Sequence, residues 1–392
     1  MKNRVSRIDN FKWIAALLVA ANHTSPLESI HITADFLLTG VVARLAVPFF
    51  FMVTGYFVLS GQYGRSDKAG SKERTGRQAY TKIWHSIRKT GLLYLAATIL
   101  YLPIQIYKFI QGIKVAEVLQ NEAAVQQLVT SENVQGVDIV GNILKVIVFE
   151  GTYYHLWYLP AAMLGMCVVV LLLRYLPKQA MTISIVLYGV GLLGDSYYGA
   201  IVGIPLLKSV YDGIFIVFSY TRNGLFMAPL FLLLGRKIAL DKISEENGQL
   251  KGERLENKKE VRSLRNFVAT LIFMCVEGLV LYKANMQKHS SMYLLLPLCM
   301  WYLFSYLAVE KADKVKRGTF FYEGPMVFYI VHPFAILVVR GFVKVTKLTA
   351  LLTISPLYYV VVVACGLCGS YMILWGRQYM KSRWKGRHKR CT

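Results

Sequence analysis

Lys12 and His23 stand eleven positions apart in an apolar stretch near the start of the chain. At 100° per residue that separation is three turns plus about 20°, so a helix carries both on one face, roughly 16 Å apart along its axis. A cation at one end of a stripe and an imidazole at the other suit a tunnel joining a cytoplasmic anion to an outer reaction centre. A plainer reading stands beside this one: Lys12 snorkels to headgroups and His23 caps a short helix.

Other ionisable side chains sit where apolar surroundings make them expensive, roughly 2.5–3.5 kcal/mol each at the centre of a bilayer on insertion scales. Arg44 lies deep in GVVARLAVPFFFMVTGYFV, too far in to snorkel with ease. It needs an anion or a carbonyl cluster, and Glu277, in another apolar run, is one partner open to it. The segment YYHLWY brings Tyr154, His155 and Trp157 to the start of a further run, and Arg222 in YTRNGLF starts another. Interfacial aromatic belts account for the tyrosines and Trp157 without function, whereas His155 is less expected. His332 precedes Pro333 and has a ready structural use, binding backbone groups that the proline frees.

What must position these groups is a set of long apolar helices. The 392 residues are 55% apolar or aromatic and only 17% charged, with a mean hydropathy of +0.43. Apolar runs approach the 20 or so residues that cross a bilayer. They predict an all-α polytopic membrane protein with about ten spans, at roughly 10–25, 35–60, 90–108, 153–174, 180–195, 223–239, 265–283, 292–310, 326–344 and 354–375. Residues 200–219 are apolar too, but Lys208 and Asp212 fall inside, so a helix lying on or dipping into the outer surface is expected there. A similar reading holds for 137–150. No Gly/Ser-rich linker divides the chain, so residues 1–376 read as one transmembrane domain and 377–392 as a basic cytoplasmic tail.

The formal charge of +23 raises nucleic-acid binding, but the charges lie in alternate connections and not on one face. Of the 45 lysines and arginines, 34 fall on one side of the ten-span topology, while residues 26–34 hold none. The positive-inside rule then places both termini in the cytoplasm and leaves the lipid bilayer, with no nucleic acid, as the partner of the surface. The location expected is a bacterial cell membrane. Five of the six cysteines lie in apolar runs, which argues against a disulfide framework, and Cys365 and Cys368 read as packing residues; no metal site is expected.

Taken together and in order, Lys12 with His23, RLAVPFFFMVTGYFV from Arg44, YHLWYLP from Tyr154, RNGLF from Arg222 and YIVHPF from Tyr329 resemble the acyltransferase type 3 family of ten-helix membrane proteins, over roughly residues 7–375. The resemblance implies transfer of an acyl group from cytoplasmic acyl-CoA to a hydroxyl at the outer face, with His23 as base. Lys12, Arg44 and Arg88 would then meet the donor, although a paired arginine of the family is here His85. Within the family the pattern IDNFKWIAALLVAANH, VPFFFMVTGYF and YHLWYLP is most similar to the membrane domain of VanT-type serine racemases of vancomycin-resistant bacteria. That similarity implies handling or uptake of L-serine for a fused or associated C-terminal racemase domain, with the carboxylate at Arg44 or Arg222 and the ammonium at Glu277 or the aromatic cluster at 153–158. With 392 residues there is no room for that pyridoxal-phosphate domain, so residues 377–392 become a linker toward it. No racemisation and no pyridoxal phosphate are expected in this chain, and no cofactor beyond acyl-CoA as a donor.

Overall fold

The computed structural model describes residues 5–60, 69–118, 141, 145–247, 253–309 and 318–388. Among these every regular element is helical. In chain order they are α1 (Ser6–Thr24), α2 (Ile32–Val58), α3 (Ala69–Val118), α4 (Tyr158–Tyr175), α5 (Ala180–Leu193), α6 (Tyr198–Val202), α7 (Pro205–Val217), α8 (Ala228–Asn247), α9 (Glu253–Lys283), α10 (Leu296–Leu307), α11 (Thr319–Thr346), α12 (Ala350–Thr353) and α13 (Ser355–His388). Each of the ten apolar segments contains a helix. Six stretches are long and apolar enough to cross a membrane by length and composition: Ile32–Val58, Tyr80–Tyr107, Tyr158–Tyr175, Asn257–Lys283, Thr319–Thr346 and Ser355–Arg383. Two shorter apolar helices, Ala180–Leu193 and Leu296–Leu307, lie in the expected places.

Residues 200–219 do not form one continuous helix. They divide into the end of α6 and the thirteen-residue α7, with the break at Gly203–Ile204 and proline at the first turn of α7. Thirteen residues reach about 20 Å, short of the roughly 30 Å hydrocarbon core. Lys208 and Asp212 meet on its exposed side at 2.7 Å. Most of the 137–144 stretch, and the loops at 61–68 and 310–317, lie outside the described residues.

The chain divides into two units, residues 1–56 with 234–392, and residues 57–233. In the first, α1, α11 and α13 pack on one another. Ala16 and Ala20 leave α1 smooth enough for Phe328 of α11, and Tyr359, Val363 and Leu367 of α13 close over them. Gly324 is required here, since a Cβ on it would stand 2.5 Å from the Trp13 ring, and the Trp13 indole donates to the Phe321 carbonyl at 3.0 Å. α9 packs on α10, and Arg7 of α1 reaches both, pairing with Glu260 at 2.7 Å and lying 4.7 Å over the Tyr306 ring.

α2 is irregular at one place. A π-helical stretch, Phe36–Val41, gives way to a 3-10 turn, Val42–Leu45, before ordinary α-helix resumes at Ala46. Pro48 has no N–H for the Arg44 carbonyl, and its ring crowds that group, so a regular ladder cannot run through Arg44. The Gly40 carbonyl is taken instead by the Tyr293 hydroxyl at 2.7 Å.

In the second unit α3 packs on α4. One face of α3 presents polar groups to the segment before α4: the Tyr94 hydroxyl donates to Ile147 O and accepts from Thr152 N, both at 3.0 Å, and Gln105 donates to Thr152 O at 2.8 Å.

Candidate functional site

In the first unit the C-terminal end of α1 meets the middle of α11. The rings of His23 and His332 stack, 5.5 Å between centroids and 22° between planes. His332 is fully buried, and its Nδ1 lies 3.2 Å from the Phe328 carbonyl. A carbonyl only accepts, so Nδ1 carries the proton, and in the neutral ring Nε2 is the basic nitrogen. The proline reading of His332 is therefore compatible with the fold, but it is incomplete, because the ring also backs His23. Sequence reasoning left His332 outside its site; the signal available was a histidine in the centre of an apolar run.

Lys12 shares α1 with His23, but its ammonium is engaged nearby, 2.6 Å from Asp9 Oδ1. Asp9 is 6% exposed, so this is a buried carboxylate whose charge Lys12 balances. Asp9 was missed, although an acid three residues before Lys12 falls on the same helix face.

Arg44 sits in the irregular part of α2 and donates from Nη2 to Ser290 Oγ at 3.4 Å. Glu277 of α9 accepts from the backbone N–H groups of Leu294 and Leu295, at 2.6 and 3.1 Å, and so caps the approach to α10. The two residues grip one connection between α9 and α10: Arg44 holds its serine and Glu277 its end, with Tyr293 between them bonded to Gly40.

In the second unit His155 is buried, with the rings of Tyr101, Tyr153 and Tyr154 edge-on to it at 5.0, 5.5 and 5.5 Å. Tyr101 of α3 stacks on Tyr153 at 4.5 Å, while Tyr154 itself is exposed. The guanidinium of Arg222 stands 5.6 Å over the Trp157 ring and 4.3 Å over that of Tyr220. Burial pushes its pKa down from the usual arginine value, and the charge of Asp195 acts the other way. Asp195 is fully buried and accepts from Ser196 Oγ at 3.0 Å. It too was missed, though it is a lone acid closing the apolar run of α5. Arg88 is exposed on α3. Of the sequence candidates, then, Arg44 and Glu277 share a loop, Trp157 and Arg222 share a contact, and Tyr154 and His155 are neighbours. Lys12 and His23 each have a partner of their own.

Comparison with known proteins adds three findings. The acyltransferase-domain family matches residues 5–375. Two proteins named "Amino-acid racemase" from Enterococcus faecalis are similar to the chain, one 34% identical over 95% of this chain and 46% of its own length, the other 36% identical over 77% and 35%. A "Serine/alanine racemase" from Enterococcus gallinarum is 30% identical over 100% of this chain and 48% of its own length. The chain thus spans about half the length, or less, of the curated relatives it matches. No solved structure matches.

Proposed function

The chain belongs to the acyltransferase-3 family, and on that premise we propose that it is the membrane domain of a two-part, VanT-type amino-acid racemase and takes up L-serine for the racemase half. It is a multi-pass protein of a bacterial cell membrane in this reading, with ten spans and both termini in the cytoplasm. The observation that carries the substrate is Arg44. A guanidinium is held in the broken part of α2, beside a serine hydroxyl of the connection whose end Glu277 caps. A planar guanidinium takes a carboxylate bidentately, and the Glu277 carboxylate, bonded to the same connection, would meet an ammonium. Arg222 is a weaker choice, because Asp195, Trp157 and Tyr220 already occupy its charge and faces. Racemisation, and the pyridoxal phosphate it uses, are assigned to the part of the relatives' length outside the match. The reading fits relatives named for amino-acid and serine/alanine racemases.

Proteoliposomes carrying the chain are expected to accumulate labelled L-serine above empty vesicles. Arg44→Gln is expected to lower uptake at least tenfold, and Arg44→Lys to restore little of it. Uptake no greater than that of empty vesicles sinks the proposal.

A second reading rests on the stacked His23 and His332. In acyl transfer His23 takes the proton of an acceptor hydroxyl as its oxygen attacks the thioester carbonyl of acyl-CoA. The carbon–sulfur bond breaks, and the coenzyme A thiolate leaves and recovers that proton. Lys12 and Arg44 would meet the donor's phosphates, although Asp9 already balances Lys12. With an acyl-CoA and a hydroxyl acceptor, His23→Ala is expected to cut turnover about 10²–10⁴-fold. Turnover that is absent in the wild type, or equal in the variant, removes this reading.

A further inference from the structure

The irregular part of α2 centres on one carbonyl. In a regular α-helix the Gly40 carbonyl would accept from the N–H four residues on, that of Arg44. Around Arg44 the chain is a 3-10 turn, Val42–Leu45, whose N–H groups reach back three residues. The Gly40 carbonyl is held from outside the helix, by the Tyr293 hydroxyl at 2.7 Å. Each 3-10 residue advances about 20° further around the axis than an α-helical one. The break therefore governs where the Arg44 guanidinium points, and Tyr293 occupies the carbonyl that a regular helix would reclaim.

The surroundings of Tyr293 suit it to this task. It is fully buried, and Ser291 and Met292 before it are buried as well, so this end of the connection from α9 to α10 is packed into the fold. α9 closes on the same turn of α2: a Cβ on Gly278 would stand 2.5 Å from Val41 Cγ2 and 3.5 Å from the Tyr293 ring. One turn away the rings of Phe36 and Tyr282 stack, 4.3 Å between centroids. Ser290, three residues before Tyr293, takes the Arg44 hydrogen bond at 3.4 Å. One connection thus fixes both the break and the side chain that the break aims. We infer that Tyr293 is a positioning residue, whose hydroxyl keeps α2 broken at Gly40 and thereby aims Arg44 at the substrate carboxylate. The inference deepens the uptake reading and rests on it for the identity of that carboxylate. Tyr293 itself meets no substrate in this scheme and acts only through Arg44.

The test is Tyr293→Phe, which keeps the ring and removes the hydroxyl. In proteoliposomes it is expected to raise the KM for L-serine about fivefold, the worth of one hydrogen bond, with Vmax held within about twofold. Made in the Arg44→Gln protein, the same change should alter the residual uptake by less than about twofold, because a residue acting through Arg44 then has nothing left to aim. Hydrogen exchange of the full chain in nanodiscs should become about fivefold faster at the amides of residues 41–46 and stay unchanged in α13. Tyr282→Phe, which keeps the stack on Phe36, should change none of these. Unchanged exchange at 41–46, an unchanged KM, losses that add in the double variant, or equal effects from Tyr282→Phe overturn the inference. No uptake by the wild-type chain sinks the L-serine reading; faster exchange would still support Tyr293 as the hold on the break, and unchanged exchange would remove that too.

Discussion

Most of the charged side chains with chemical promise turned out to have a structural partner, and the partner decides what each substitution does. Lys12 illustrates this. Replacing it with methionine leaves the Asp9 carboxylate buried and unbalanced, at a cost of about 2 kcal/mol for a pair that keeps some exposure. Lys12→Met with Asp9→Asn removes both charges and is expected to recover most of that loss, so the two effects will not add. Thermal unfolding of the four proteins in detergent reads the coupling directly. If Lys12 instead serves an anionic substrate, the single variant will unfold normally and lose only activity. His332 carries the same lesson. Its hydrogen bond to Phe328 and its stack on His23 use different parts of one ring, so a structural role does not exclude a functional one.

At the scale of elements, two devices set the shape of the first unit. The first is the cap on α10. Glu277 satisfies two N–H groups that the helix cannot satisfy itself, so Glu277→Ala is expected to cost about 1–2 kcal/mol and to loosen the connection that Arg44 grips. A fall in unfolding temperature checks it, and protease susceptibility at residues 284–293 should rise with it. The second is the approach of α8 to α2. A Cβ on Gly235 would stand 2.2 Å from the Met52 carbonyl oxygen, which is backbone and cannot swing away. Gly235→Ala is expected to give little folded protein by size-exclusion chromatography in detergent. An unchanged elution profile would mean that the two helices can part without cost.

For the whole molecule the governing pattern is where the charge lies. The proposed ten-span topology would put 34 of the 45 basic residues on one side, which makes a directional prediction. A reporter active only outside the cell, fused after Ile30 or Met286, is expected to be active, and the same reporter after Lys242 or Arg377 inactive. Activity at Lys242 would reverse the assignment and turn residues 200–219 into a crossing. The break at Gly203–Ile204 and the exposed Lys208–Asp212 pair stand against that crossing.

Hydropathy, charge asymmetry and motif order sufficed for the helical class, the ten apolar segments and the family, because each depends on runs of residues that any fold must accommodate. They also marked His23, Arg44 and Glu277 as costly, since burial cost belongs to a residue type. Partnership is different: His23 and His332 lie 309 positions apart, and Arg44 and Ser290 lie 246 apart, so no local pattern joins them. The break in α2 arose from Pro48 together with a tyrosine hydroxyl far along the chain, and the buried carboxylates of Asp9 and Asp195 were recognisable only once their surroundings had closed over them. Which expensive groups exist was written in composition and spacing; what each is balanced against was decided by packing, because electrostatic and hydrogen-bond partners are set by distance in space.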